Sequence, residues 1–100
     1  MNYDYLQIDD VIHSRIRTSI MAVLVGIDEA EFNFLKEKVN ATDGNLSVHL
    51  KKLEQAGYIS VKKLFVDRKP LSKYKITSKG YKAFENYLSN LENIIRSNKK

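Results

Sequence analysis

The 100-residue chain contains no cysteine, which excludes disulfides and thiolate metal sites and fits a cytoplasmic location. No run of about 18 apolar residues occurs, so no segment is expected to span a membrane. The start, MNYDYLQIDD, lacks the basic lead and apolar stretch of an export signal. The usual marks of catalysis are missing too. There is no cysteine nucleophile, no glycine-rich phosphate loop, no HExxH and no carboxylate pair beside a histidine, so the chain is not expected to be an enzyme. Of the two histidines, His13 has no partner at metal-ligand spacing and is expected at the surface or in a cap. No metal and no cofactor are expected. Repeats, low-complexity tracts and internal linkers are absent, and one domain over residues 1–100 follows from the length.

Acidic residues become scarce along the chain. Residues 1–57 hold six Lys/Arg against nine Asp/Glu, a net −3, whereas residues 58–100 hold eleven against three, a net +8, together the overall +5. Between Tyr58 and Lys82 there are eight positive charges and one negative, Asp67. Scattered lysines would mean only a solvated surface. Concentration in one hairpin favours a nucleic-acid partner.

Ser14 can cap a first helix running to about Val25, with Ile16, Ile20, Val23, Leu24 and Ile27 at helical spacing and Gly26 at its end. Asp28–Glu31 reads as a connector, with a short extra strand between the first two helices as an option. A second helix is expected over about Asn33–Val39, turning Phe34, Leu35 and Val39 inward. Thr42 then caps a third helix, whose buried stripe is Leu46, Leu50 and Leu53 and whose end is Gly57. Tyr58–Val66 and Leu71–Ile76 read as strands around the turn Asp67-Arg68-Lys69-Pro70. Finally, Thr77 caps a helix to about Ser97 that is roughly 30 Å long. Its stripe Tyr81, Phe84, Leu88, Leu91 and Ile95 has the spacing of a helix–helix seam. The fold class is mainly α with a β-hairpin (α+β), in the order α-α-α-β-β-α.

The third helix and the hairpin carry the candidate chemistry. With its leucines inward, a rotation of about 100° per residue sets Gly44, Val48 and Lys51 near the outer side, flanked by Asn45, Ser47 and Lys52. Asparagine can read an adenine edge, serine several base edges, and lysine guanine or phosphate. Gly44 would let the first turn approach a duplex closely. Asp43 is repelled by phosphate; it can serve the helix dipole or accept from a cytosine amino group. His49 sits beside the buried stripe, as either a half-buried helix residue or a contact. In the hairpin, Arg68 and Lys69 at the turn and Lys62, Lys63, Lys73 and Lys75 along the outer face would add phosphate contacts, which supply affinity rather than specificity. Arg15 and Arg17 are expected in salt bridges. A helix that can read bases followed by a cationic hairpin is the helix-turn-helix plan with an added wing.

Four segments resemble winged-helix transcription regulators of the broad MarR/ArsR kind, above all their small single-domain members. They are VIHSRIRTSIMAVL, FNFLKEKVNATDGNLSVHLKKLEQAGYI, KKLFVDRKPLSKYKIT and ITSKGYKAFENYL with its Thr77-x-x-Gly80. The resemblance runs from about Asp9 to Leu91 and is most specific from Thr42 to Ile59. It implies a homodimer on a roughly two-fold symmetric DNA operator, with the third helix in the major groove and the wing on the flanking backbone. Thr42, Asn45, Ser47, His49 and Lys51 would face DNA, as would the tip at Arg68 and Lys69. Residues 78–97 would supply the dimer seam through Tyr87, Leu88, Leu91 and Ile95. Metal-sensing relatives use cysteine or clustered histidine, which this chain lacks, and the sequence leaves any small-molecule effector unknown. Tyr3, Tyr5 and Leu6 are candidates to pack on a partner's terminal helix. Two other functions compete: a sequence-tolerant, chromatin-like DNA binder, and a winged-helix module that binds an acidic protein surface.

Overall fold

In the computed structural model, which describes residues 8–97, α1 (Arg15–Val25) is followed by the short strand β1 (Ala30–Glu31) and by α2 (Phe32–Val39) and α3 (Asp43–Gln55). The hairpin β2 (Ile59–Val66) and β3 (Lys69–Ile76) leads into α4 (Ser78–Ser97). The sheet has the order β1-β3-β2 and is antiparallel throughout; β1 pairs Ala30 with Tyr74 and Glu31 with Lys73. The optional strand between the first two helices is therefore present. Tyr3, Tyr5 and Leu6 lie outside the described residues.

The apolar stripes meet in one core. Ile20, Met21 and Leu24 of α1 pack with Leu35 and Val39 of α2, Leu46, Leu50 and Leu53 of α3, Ile59 of β2 and Phe84 and Tyr87 of α4. Burying each such large side chain fully contributes about 2 kcal/mol. Ile12, ahead of α1, is also fully buried. Asp9 turns the chain there, its Oδ1 accepting from the N–H groups of Val11 and Ile12 at 2.8 and 3.2 Å. Tyr58 donates its hydroxyl to Asp9 Oδ2 at 2.5 Å. Burial, followed by this bond and the Asp9 charge, raises the Tyr58 pKa to about 12.

Several expectations need correction. Phe34 is exposed, with the Lys38 ammonium 5.5 Å from its ring centroid, because Leu35 and Val39 already supply the inward face of α2. Ile27 falls beyond the end of α1 and is exposed. The turn of the hairpin is only Asp67-Arg68, at φ 51° and 67°, so Lys69 and Pro70 lie in β3 opposite Val66 and Phe65. Both central residues being left-handed is the two-residue turn whose twist matches the strands. On α4 the expected seam divides. Phe84 is buried and Leu91 half-buried against the protein's own core, whereas Tyr81, Leu88 and Ile95 are exposed. Tyr87, assigned to the dimer seam, is instead buried in its own domain. Its hydroxyl lies 3.0 Å from His13 Nδ1 and accepts from Thr18 Oγ1 at 3.4 Å.

One junction ties α3, the hairpin and α4 together. Gly57, at φ 80°, closes α3: the Tyr58 N–H donates to the Leu53 carbonyl at 3.0 Å and the Gly57 N–H to Glu54 at 2.9 Å. Thr77 then donates its N–H to the Tyr58 carbonyl at 3.0 Å and its hydroxyl to the Gly57 carbonyl at 2.6 Å. The same hydroxyl caps α4 by accepting from the Gly80 N–H at 3.0 Å. A Cβ at Gly80 would stand 2.0 Å from the Tyr58 carbonyl oxygen. Gly80→Ala is therefore expected to cost about 2–3 kcal/mol in urea unfolding, as forced overpacking does. A loss below about 0.5 kcal/mol, the range of a neutral surface change, would contradict this account of the junction.

Candidate nucleic-acid interface

The turn between α2 and α3 is set by local chemistry. Asn40, at φ 54°, ends α2: its N–H donates to Glu37 at 3.3 Å and the Ala41 N–H to Lys36 at 3.2 Å. Asparagine tolerates this left-handed position better than other non-glycine residues. Two residues later Thr42 caps α3, accepting from the Asn45 N–H at 3.2 Å. Lys36 Nζ and Asp43 Oδ1, 2.8 Å apart, bridge the two helices. Asp43 is thus engaged by Lys36 and by the helix dipole.

With Leu46, Leu50 and Leu53 buried, the other side of α3 exposes Gly44, Asn45, Ser47, Val48, Lys51 and Lys52. Val48 is 55% exposed, an apolar group suited to a thymine methyl. No heavy atom lies within 4 Å of a Cβ built at Gly44. Glycine in a helix costs about 1 kcal/mol against alanine, and the protein's own packing does not require it here.

His49 borders this face, half-buried, and Arg17 Nη1 lies 2.7 Å from its Nδ1. Burial, then the charges of Arg17, Lys52 and Arg15, lowers the His49 pKa below the usual histidine value. Among the described residues the two arginines of α1 form no salt bridge, contrary to expectation. Arg15 donates to the carbonyls of Val39 and Asn40, and Arg17 to those of Val11 and Asp10. Carbonyls exposed at a helix end and in a turn are available acceptors that carry no sequence signature.

In the wing, register decides which lysines act together. Ser60, Lys62, Leu64 and Val66 pair with Lys75, Lys73, Leu71 and Lys69, and directly opposed residues share a face. Lys62, Lys69, Lys73 and Lys75 therefore form one cationic face. Lys63, expected among them, lies on the opposite face with Val61, Phe65 and Tyr74, since side chains alternate along a strand. Lys62 and Lys73 are directly opposed, a like-charge pair that destabilises a hairpin in isolation. Glu31 stands beside Lys73 on the third strand. At the tip Arg68 holds φ 67°, a conformation that costs an L-residue about 1–2 kcal/mol. Next to it Phe65 is 77% exposed opposite Pro70, an apolar tip that the run Tyr58–Val66 does not distinguish from core.

At the other edge of the sheet, an open groove of about 620 Å³ is lined by Asp28, Glu29 and Glu31 with Ile27 and Phe34, and Lys73 of the wing face borders it. Among the described residues no group of three or more His, Asp or Glu is placed to hold a metal ion, and no helix is long and apolar enough to cross a membrane.

Residues 16–95 match the family described as Winged helix DNA-binding domain. The chain belongs to that family. This winged-helix protein is 47% identical over 78 residues to protein MJ0432 of Methanocaldococcus jannaschii, covering 78% of the chain and 85% of that relative. Among solved structures it is similar to a transcriptional regulator homologue from Pyrococcus horikoshii OT3, with TM-score 0.80 and 29% identity over 87% of this chain and 86% of that one. It shares its fold with the putative transcriptional regulator ytfH from Salmonella typhimurium, with TM-score 0.72 and 24% identity over 88% and 77% of the two chains. MarR- and ArsR-family regulators have the same fold. The family is one of DNA-binding domains, not of catalysts.

The opposed lysines give a test that separates function from folding. Lys62→Glu is expected to stabilise the free winged-helix domain by about 0.5 kcal/mol through the new pair with Lys73. It should also weaken duplex binding and flatten its salt dependence. Unchanged duplex affinity and salt slope would remove this face from the interface.

Proposed function

We propose that this winged-helix protein is a sequence-specific, double-stranded DNA-binding transcriptional regulator that acts as a homodimer. The observation that carries the reading is the polar, uncrowded face of α3, with Gly44 open to its surroundings, beside a wing in which Lys62, Lys69, Lys73 and Lys75 share one face. In this arrangement α3 enters the major groove. Asn45, Ser47, Val48, His49 and Lys51 stand at base edges, while the Thr42 turn and Lys52 lie near phosphates. Lys62, Lys69, Lys73, Lys75 and the Arg68 tip contact the flanking backbone or minor groove. The Pyrococcus horikoshii relative, described as a transcriptional regulator homologue, supports a regulatory role.

The homodimer reading rests on α4. Tyr81, Leu88 and Ile95 are 46%, 49% and 61% exposed and recur every seventh residue, which lines them along one side of the helix. A line of this kind matches the seam of paired helices, and the chain's own core leaves it uncovered. Two copies joined there would present two recognition helices to one duplex.

Selection of bound duplexes from a randomised library at about physiological salt tests the reading. An inverted repeat with half-sites about 10 base pairs apart is expected. Retention without sequence enrichment would make the protein a sequence-tolerant binder, and no retention would favour a protein partner. Leu88→Glu with Ile95→Glu is expected to give monomers in light scattering and to lose the preference for a repeat. Dimers surviving both substitutions would place the seam elsewhere.

A further inference from the structure

The Arg17–His49 contact runs from α1 to the rim of the recognition face, and its chemistry is restrictive. The Arg17 guanidinium can only donate, so at 2.7 Å from His49 Nδ1 it makes that nitrogen an acceptor. A neutral His49 ring must then carry its proton on Nε2. Arg17 is not free to drift. Its Nε donates to the Val11 carbonyl and its Nη2 to the Asp10 carbonyl at 3.4 Å. That segment is pinned in turn by the Asp9 carboxylate and by the fully buried Ile12.

We infer that Arg17 is a positioning residue that fixes His49 as an Nε2–H donor, and that this donor reads a hydrogen-bond acceptor on a base edge. The inference rests on the proposed DNA-reading role of α3. His49 follows the exposed Val48 and stands one helical turn from Asn45 and from Lys52, at the margin of the face assigned to the groove. In the major groove guanine offers O6 and N7, adenine N7 and thymine O4, whereas cytosine offers an amino donor. An unfixed imidazole can present either a donor or an acceptor and discriminates little. A ring locked by Arg17 accepts guanine, adenine or thymine on the contacted strand and rejects cytosine. Protonation would turn Nδ1 into a donor facing a guanidinium. Partial burial and the surrounding Arg17, Lys52 and Arg15 charges oppose it, which keeps the ring in the neutral form that the lock requires.

The test has two arms. In the free protein, ring nitrogen–proton correlation spectra, with His49 signals identified by their loss in His49→Ala, report the tautomer. Wild type is expected to show an unprotonated Nδ1 and a protonated Nε2. Arg17→Met should give mixed tautomers, and Arg17→Lys, which still donates, should restore the wild-type pattern. In duplex selection, wild type and Arg17→Lys are expected to disfavour cytosine about fivefold at one position per half-site, the scale of one base contact. Arg17→Met and His49→Ala should both lose that preference. A protonated Nδ1 in the wild type would overturn the lock, and this measurement needs no variant of Arg17 to fold. Cytosine discrimination that persists in His49→Ala would overturn the reading role. Failure of wild type to enrich any sequence would instead remove the DNA-reading function itself, while the tautomer pattern in the free protein would still decide the lock.

Discussion

The closeness of the Tyr58 carbonyl to Gly80 governs how α3, the wing and α4 sit relative to one another. No side chain fits between them, so the first turn of α4 packs directly on the backbone that leaves α3. Thr77 completes the junction by bonding Gly57 and Tyr58, which join α3 to the hairpin, and the first turn of α4 at once. A recognition helix and a wing must meet one duplex together, and a loose connection between them would cost binding entropy. Here the connection is three hydrogen bonds and a steric contact within one short stretch. The long helix inherits its direction from the same junction, so its exposed line of Tyr81, Leu88 and Ile95 has a defined relation to α3.

The surface built on this frame carries unfavourable terms that the free protein does not need. Lys62 opposes Lys73 across the strands, Arg68 holds a left-handed conformation at the tip, and Gly44 weakens a helix in which nothing crowds it. Each costs a fraction of a kcal/mol to about 2 kcal/mol by general experience. In the proposed complex, phosphates would reverse the first term by neutralising the opposed ammonium groups and releasing counterions.

Much of this could be read from the residues alone. The leucine stripe of α3, the Thr42 and Thr77 caps and the stop at Gly57 are local signals with local causes, and each appears where periodicity and capping rules place it. The hairpin was legible as a hairpin. Its turn was not, because Asp67-Arg68 lacks the glycine that usually marks two left-handed residues, and the shorter turn moved Lys69 and Pro70 into the strand. Lys63 parted from the other lysines through strand alternation once the register was known. On α4, helical spacing marked an apolar stripe without saying which members face the chain's own core, so Tyr87 and Leu91 could not be told from Leu88 and Ile95. The partners of Arg15 and Arg17 are backbone carbonyls and a histidine brought near by folding. No spacing rule encodes those contacts.

The central claim is that the outer face of α3 and the wing form one surface for duplex DNA. Titrating a nitrogen-labelled sample with duplex DNA and following backbone amide shifts tests it most directly. The account predicts that the largest changes fall together in residues 42–52 and in the hairpin over residues 60–75, with the acidic groove at Asp28 and Glu29 nearly silent. Changes centred on that groove, with the first turns of α3 unmoved, would contradict it.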